Sequence, residues 1–166
     1  MRKKIKFMTT GALIAAAYVA LCHLQNALLP GSASWAIQFR VAEALCILAF
    51  FTPSAVAGLS VGCLLFNLSF SAALPLDPAV GTLATFLSTG GMYLLRKWTL
   101  FGYPLFGMLL PALCNALLVG WELTFYIGGG FWLNAAYVFI GEAAVLLILG
   151  TLLYYTVKAR RLDKLF

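Results

Sequence analysis

The sequence predicts an all-α membrane protein, a single transmembrane domain over residues 1–166 with six transmembrane helices and both termini in the cytoplasm. Hydrophobic residues make up 63% of the chain and charged residues only 10%, against about 25% charged in a typical soluble domain. Six apolar segments of roughly 20 residues, enough to cross a bilayer, account for most of the length. The cations cluster at three places: near the start of the chain, at Arg96-Lys97 and near the end. If every segment crosses the membrane, all three clusters lie on the same side of it.

The composition also argues against several kinds of function. The net charge of +6 does not indicate a nucleic-acid partner, because the cations lie at segment ends, as the positive-inside rule expects. The four cysteines lie inside apolar segments, without a Cys-x-x-Cys pair or a His at metal-ligand spacing. We interpret them as small buried side chains. The sequence therefore predicts no metal site, no cofactor and no catalytic residue.

Segment 1 runs from about Phe7 to Leu29 and carries one stripe of small residues, Ala12, Ala16 and Ala20. Such stripes allow a second helix to approach closely, either inside the bundle or in a partner. His23 continues the stripe, and a lone His of this kind is more typical of a satisfied polar group than of a catalyst.

Segment 2 runs from about Gln38 to Phe51 and is short for a transmembrane helix. Arg40 and Glu43 are three residues apart, so an α-helix would place them on one face, where they can pair. A pair in or near a bilayer is costly unless it is shielded and useful. The plainer alternative is a surface pair at the headgroup level, which stabilises little.

The remaining segments each contribute polar residues to an otherwise apolar pattern. Segment 3 (about 54–70) contains a Gly-x-x-x-Gly at Gly58 and Gly62, a close-packing face, and Asn67 near its outer end. Segment 4 covers about 79–95. Segment 5 (about 103–121) places Asn115 and Glu122 on one face, and segment 6 (about 131–157) carries Asn134 and Glu142.

Polar residues of unlike types converge when the N-terminus is placed inside. We expect the outer half of the membrane to contain Gln38, Arg40, Glu43, Asn67, Asp77, Glu122 and Asn134. Asn115 points to the same region, and Glu142 lies about 16 Å from the start of its helix, near mid-bilayer. The arrangement predicts a pocket open to the outside, with Glu142 at its floor.

A hydrolase is a second class to weigh, because Gly58-Leu59-Ser60-Val61-Gly62 matches G-x-S-x-G. Helical rise places Ser60 and His23, the lone His, about 13 Å apart in depth, whereas a working pair needs about 3 Å. We interpret the motif as two packing glycines around a Ser. A proton or cation relay through the carboxylates stays open as a third class. No phosphate-binding loop is present, so uphill transport would draw on a partner or an ion gradient.

The residues themselves resemble the QueT group of the substrate-binding S components of energy-coupling factor (ECF) transporters. The match is most specific at Gln38-Phe39-Arg40-Val41-Ala42-Glu43-Ala44-Leu45. It continues through Phe50-Phe51-Thr52-Pro53, Gly58-Leu59, Gly62-Cys63-Leu64-Leu65, Leu76-Asp77, Gly81-Thr82-Leu83-Ala84-Thr85, Asn115-Ala116-Leu117 with Gly120, Phe131-Trp132, and Gly141-Glu142 with Gly150. Ala42 and Ala49 depart from the Ser and Pro that the family leads us to expect.

The resemblance implies a six-helix S component without catalysis of its own, a multi-pass protein among the lipids of a prokaryotic plasma membrane. It implies that Ala12, Ala16 and Ala20 dock on a transmembrane coupling subunit driven by two ABC ATPases. It also implies a 7-deazaguanine-type substrate such as queuine, with Trp35 or Trp132 able to stack on the base. The candidate substrate-binding residues are Gln38, Arg40, Glu43, Asn67, Asn115, Glu122, Trp132, Asn134 and Glu142. Thiamin or another vitamin-like heterocycle, or an ion-coupled solo transporter, remain alternatives.

Overall fold

The computed structural model describes residues 2–30, 32, 39–70 and 74–162, and they are helical, without a β-strand in those ranges. Helix α1 spans Arg2–Leu28, and a 3₁₀ helix follows at Val41–Phe50. Helices α2, α3 and α4 span Pro53–Ser69, Asp77–Leu94 and Leu105–Tyr126. Helix α5 (Phe131–Val145) continues through a π-helical turn (Leu146–Gly150) into α6 (Thr151–Ala159).

Several of the described helices have the composition of membrane spans. Three of them are long and apolar enough to cross a bilayer: α1, α4 and the continuous run Phe131–Ala159. The 3₁₀ helix and α2 are apolar but shorter. Large apolar side chains face outward along the helices, among them Leu13, Phe86, Trp121, Leu133 and Ile148, which is the surface expected of a bundle surrounded by lipid.

The second predicted segment is a 3₁₀ helix and begins at Val41, whereas the sequence predicted an α-helix from Gln38. Helices α1 and α2 are parallel, because Gly11 lies beside Gly58 while His23 reaches Ser69. The chain between α1 and α2 must therefore run back along the bundle, from the end of α1 to the level at which α1 starts, and it has few residues in which to do so. A 3₁₀ helix rises about 2.0 Å per residue against 1.5 Å for an α-helix, so ten residues cover about 20 Å.

Small residues bring α1 and α2 into backbone contact. A Cβ added at Gly58 would collide with the carbonyl oxygen of Gly11, and one added at Gly62 would lie 3.0 Å from the carbonyl oxygen of Ala15. The prediction of two packing glycines is therefore confirmed. The alanine stripe is on the other face: Ala12, Ala16 and Ala20 are exposed, so it does not make the contact within the bundle.

The beginning and the end of the described chain lie at the same end of the bundle. Phe7, Pro53 and Leu94 line one groove, and the Tyr154 ring packs against Phe50 and Phe51. We call this the terminal end. The loop end is the opposite one, where α1, α2 and α4 finish and where α3 and α5 begin.

An apolar core closes the terminal half of the bundle. Its fully buried members include Ile47, Leu59, Met92, Met108 and Leu146, which come from the 3₁₀ helix, α2, α3, α4 and the π turn. Buried acids and amides lie above this core, toward the loop end.

Candidate binding site

Three glutamates lie inside the bundle, toward the loop end. Glu43 and Glu122 are 0% exposed and Glu142 is 1% exposed. Arg40 and Asn115 are also buried. Charged side chains are almost never buried this completely unless they are paired, so the partners of each one decide what the cluster can do.

Glu43 is held by neutral donors. The Tyr18 hydroxyl donates to Glu43 Oε1 at 2.7 Å, and the Cys46 thiol donates to Glu43 Oε2 at 3.1 Å. The thiol reaches it because side chains three residues apart eclipse each other in a 3₁₀ helix. The carboxylate is thus occupied by one residue of α1 and one of its own helix.

The predicted pairing of the Arg40 and Glu43 side chains is wrong. Arg40 precedes the 3₁₀ helix in an extended conformation (φ −98°, ψ 94°), and it joins Glu43 through the backbone, with Glu43 N–H donating to Arg40 O at 3.0 Å. The guanidinium remains close enough to interact electrostatically with both Glu43 and Glu142. Because both residues are buried, the alternative of a surface pair at the headgroup level is also wrong.

Gln25 of α1 positions Arg40. Its Oε1 accepts a hydrogen bond from Val41 N–H at 2.8 Å, and its Nε2 donates to Ser32 Oγ at 2.8 Å and to the carbonyl oxygen of Phe39. These bonds fix the chain on both sides of Arg40. The enclosed cavity beside it measures about 10 Å³ and is lined by Tyr18, Cys22, Gln25, Arg40 and Phe66, room for one water molecule at most.

Asn115 and Glu142 form a second satisfied contact, between α4 and α5. Asn115 Nδ2 donates to Glu142 Oε1 at 2.8 Å and to Oε2 at 2.7 Å. This geometry leaves the other amide atom, Asn115 Oδ1, buried without a partner in the described part of the chain. Glu142 lies beneath it, deeper in the bundle than Glu122.

Several buried polar atoms have no hydrogen-bond partner among the described residues. They are Arg40 Nε, Thr82 Oγ1, Asn115 Oδ1 and both carboxylate oxygens of Glu122. In proteins most buried polar atoms have a hydrogen-bond partner. Each atom left without one lowers the stability of the fold by about 1–3 kcal/mol. These atoms, which include hydrogen-bond donors and acceptors, lie in one region. This is the arrangement expected of a binding site whose ligand supplies the missing hydrogen-bond partners.

Two predicted site residues hold loops instead of joining this cluster. Asn67 Nδ2 donates to the carbonyl oxygen of Asp77 at 3.0 Å. Asn134 Nδ2 donates to Thr124 Oγ1 and to the carbonyl oxygen of Gly128, both at 3.0 Å. These bonds brace the loops before α3 and before α5, and a direct contact of either Asn with a ligand stays a prediction.

The predicted aromatic contacts fall outside the cluster. Trp132 is 78% exposed, so its ring does not cover the buried acids. Gln38 and Trp35 lie outside the described residues.

The hydrolase alternative finds no support in the hydrogen bonds. Ser60 Oγ donates to the carbonyl oxygen of Val56 at 2.8 Å, whereas His23 Nε2 lies 3.2 Å from Ser69 Oγ. Ser60 and His23 are thus engaged separately, each with a local partner.

Sequence reasoning missed three residues of the cluster: Tyr18, Gln25 and Cys46. A signal for two of them was present, because Tyr18 and Gln25 are seven residues apart and share the face of α1 that contains Gly11. Polar side chains on the small-residue face opposite the alanine stripe indicate inward hydrogen bonds. Cys46 was recognisable only once the helix was known to be 3₁₀.

The described residues form a helical bundle with an apolar exterior, three candidate membrane spans and several buried polar atoms without a partner, which defines the class as a helical membrane protein. A family profile described as QueT transporter matches residues 8–159. The chain therefore belongs to the QueT transporter family, which confirms the resemblance seen in the sequence. Comparisons with curated proteins and with solved structures gave no match.

Proposed function

We propose that the protein is the substrate-capture (S) subunit of an ATP-driven ECF importer and that it binds a queuosine precursor, queuine or a related 7-deazaguanine. The observation that carries this proposal is the set of orphaned polar atoms inside the bundle, a donor on Arg40 and acceptors on Asn115 and Glu122. Membership of the QueT transporter family supports the transport role.

A 7-deazaguanine base matches these atoms in kind. Its ring carbonyl accepts a hydrogen bond, which Arg40 Nε can donate. Its ring and exocyclic N–H groups donate, which Asn115 Oδ1 or a carboxylate can accept. Each contact would give a buried atom the hydrogen-bond partner that it lacks among the described residues, so binding would recover the free-energy cost of that missing partner.

The base needs more room than the cavity beside Arg40 offers. The cavity beside Arg40 measures about 10 Å³, far below the few hundred Å³ of a ligand pocket. Entry therefore requires the loop end to open around Arg40. The Gln25 hydrogen bonds to Phe39 and Val41 are the ones that must change or move with the chain.

The proposed topology has six spans with both termini in the cytoplasm of a prokaryote. Two observations support it. Both ends of the described chain lie at the terminal end, and Arg96-Lys97 and the described cations of α1 and α6 belong to that same end. The loop end then faces outward, where a capture subunit meets its substrate.

The proposed partners are a transmembrane coupling subunit and two ABC ATPases. Ala12, Ala16 and Ala20 form an exposed small-residue face on α1, which is suited to close helix contact in a membrane. The described chain packs no helix of its own on that face.

Mass spectrometry of small molecules that stay bound through purification tests the substrate directly. We expect a 7-deazaguanine base at about one molecule per chain. Recovery of thiamin or a flavin in its place would overturn the substrate assignment. Uptake that persists in cells without the ATPases, and collapses with the proton gradient, would overturn the coupling.

A further inference from the structure

Glu122 differs from the other two buried glutamates, because no described residue donates a hydrogen bond to it. Tyr18 and Cys46 donate to Glu43, and Asn115 donates to Glu142. Both oxygens of Glu122 are buried without a hydrogen-bond partner among the described residues, and the side chain is 0% exposed. An ionised carboxylate only accepts hydrogen bonds, and no donor among the described residues occupies either oxygen of Glu122.

A second carboxylate adjoins Glu122. Asp77, at the start of α3, lies near Glu122, because Leu74 and Val80 on either side of Asp77 pack against the cluster of Val119 and Leu123 on either side of Glu122. Asp77 Oδ2 accepts a hydrogen bond from Leu74 N–H at 2.7 Å, which fixes the side chain in place. Two carboxylates at close range repel each other, and a cation between them relieves the repulsion.

The surroundings of this pair strengthen that effect. Val119, Leu123 and Val138 form a small apolar cluster with Leu74 and Val80. Val119 and Leu123 flank Glu122 in α4, Leu74 and Val80 flank Asp77 in and before α3, and Val138 belongs to α5. Charges beside apolar side chains interact more strongly than charges in water. The carboxylates of Glu122 and Asp77 are therefore strongly stabilised by a positively charged group between them.

We infer that Glu122, together with Asp77, binds a protonated amine of the ligand and so makes the protein selective for a cationic base over a neutral one. The inference rests on the proposed function, in which the ring of the base is held at Arg40 and Asn115. An ammonium group suits the pair because it donates up to three hydrogen bonds. A multivalent metal has less support, because the described residues contain no group of three or more His, Cys, Asp or Glu able to hold one.

The positions along α4 fit a ligand with two recognition points. Asn115 and Glu122 are seven residues apart, which places them on the same face of the helix and about 10 Å apart along its axis. A base lying along this face can present its ring to Asn115 Oδ1 and an amine-bearing arm to Glu122. A ligand without the amine leaves Glu122 unpartnered and buried, which weakens its binding.

Two probes with one ring system test the inference: 7-aminomethyl-7-deazaguanine, which is cationic, and 7-cyano-7-deazaguanine, which is neutral. We would titrate each by calorimetry into the full-length protein and into Glu122→Gln and Asp77→Asn. We expect the native protein to bind the aminomethyl base at least about 10-fold more tightly than the cyano base, the scale of a buried charge-assisted hydrogen bond. Glu122→Gln removes that preference by weakening the aminomethyl base alone.

Asp77→Asn provides a milder version of the same change. The side-chain oxygen of Asn can still accept a hydrogen bond from Leu74 N–H, so the conformation at the start of α3 is preserved. The variant loses only the negative charge of Asp77. We expect the preference for the aminomethyl base to fall by several-fold, less than in Glu122→Gln. The thermal midpoint of each ligand-free variant serves as the folding control, and we expect neither midpoint to fall, since each change removes a repelling charge.

The outcomes separate this inference from the proposed function. Equal affinity of the native protein for the two bases overturns the inference and leaves the proposed function in place. Equal losses for both bases in Glu122→Gln also overturn it, because Glu122 would then contact the ring and not the amine. Folded native protein that binds neither base overturns the proposed function itself. If Glu122→Gln does not fold, the difference in affinity of the native protein for the two bases still tests the inference.

Discussion

The buried polar side chains near the loop end fall into two groups according to whether the fold satisfies them. Glu43 and Glu142 accept hydrogen bonds from neutral donors on α1, α4 and the 3₁₀ helix. Arg40 Nε, Asn115 Oδ1 and the Glu122 oxygens have no partner among the described residues. The first group holds the helices together, and the second group is available to a ligand.

Replacing Tyr18 with Phe tests the first group. The change leaves Glu43 Oε1 without the hydroxyl that donates to it at 2.7 Å. We expect the free energy of unfolding to fall by about 1–3 kcal/mol, the cost of an orphaned buried acceptor, as measured by denaturant unfolding in detergent.

Tyr154→Phe is the matched control. Tyr154 contacts Phe50 and Phe51 through its ring, and the change keeps the ring. We expect an effect within about 0.5 kcal/mol. An equal decrease in the free energy of unfolding in the two variants would show that the Tyr18–Glu43 hydrogen bond does not stabilise the protein.

At the scale of the elements, most of the architecture could be predicted from the sequence, and the second segment could not. Apolar runs bounded by Pro and Gly indicate helices to within a few residues, as in α2 and α4. A short run in which Glu43 is the one charged residue, such as Val41–Phe50, does not distinguish a 3.0-residue from a 3.6-residue period. The Arg40–Glu43 pairing assumed that both residues belong to one helix, and it failed because Arg40 precedes the helix in an extended conformation.

The same limit applies to the partners of the site residues. Composition and depth indicated that Asn115, Glu122 and Glu142 converge, because each was a rare polar residue in an apolar helix. The sequence could not indicate that Asn115 faces Glu142, or that Asn67 and Asn134 brace loops. Those facts depend on how neighbouring helices are rotated and on where each loop lies.

The contact between α1 and α2 predicts a large effect from one methyl group. A Cβ at Gly58 meets the backbone of Gly11, which cannot move aside as a flexible side chain would. We expect Gly58→Ala to lower the free energy of unfolding by about 1–3 kcal/mol, measured by thermal or denaturant unfolding.

Gly90→Ala is the control within α3, because a Cβ at that position meets nothing within 4 Å. We expect it to be neutral or to stabilise the protein by at most about 1 kcal/mol, the gain in helix propensity. A Gly58→Ala variant as stable as Gly90→Ala would contradict the close approach of α1 and α2.

At the scale of the whole molecule, the protein separates its surfaces by task. Apolar side chains face outward, the terminal half is closed by an apolar core, and polar side chains lie inside toward the loop end. The alanine face of α1 is exposed on the outside of the bundle, away from the buried acids. In the proposed importer, substrate binding and partner docking therefore use different residues.

This separation predicts that assembly can be lost while binding is kept. We expect Ala16→Trp to bind the substrate as the native protein does and to fail to co-purify with the coupling subunit, because a large ring prevents close helix contact. Ala136→Trp, a similarly exposed position on α5, is the control and should assemble normally. Normal assembly of Ala16→Trp would remove the alanine face from the proposed interface.

Calorimetric titration of 7-aminomethyl-7-deazaguanine into the native protein and into Arg40→Lys tests the central claim, that orphaned atoms inside the bundle bind the base. Lys keeps the positive charge near Glu43 and Glu142 but lacks the Nε donor. Arg96→Lys is the control, since Arg96 is exposed and stacks on Tyr93. We predict one binding site per chain, an affinity at least about 10-fold weaker in Arg40→Lys, and no change in Arg96→Lys. Native affinity in Arg40→Lys, or no binding to the native protein, would contradict the account.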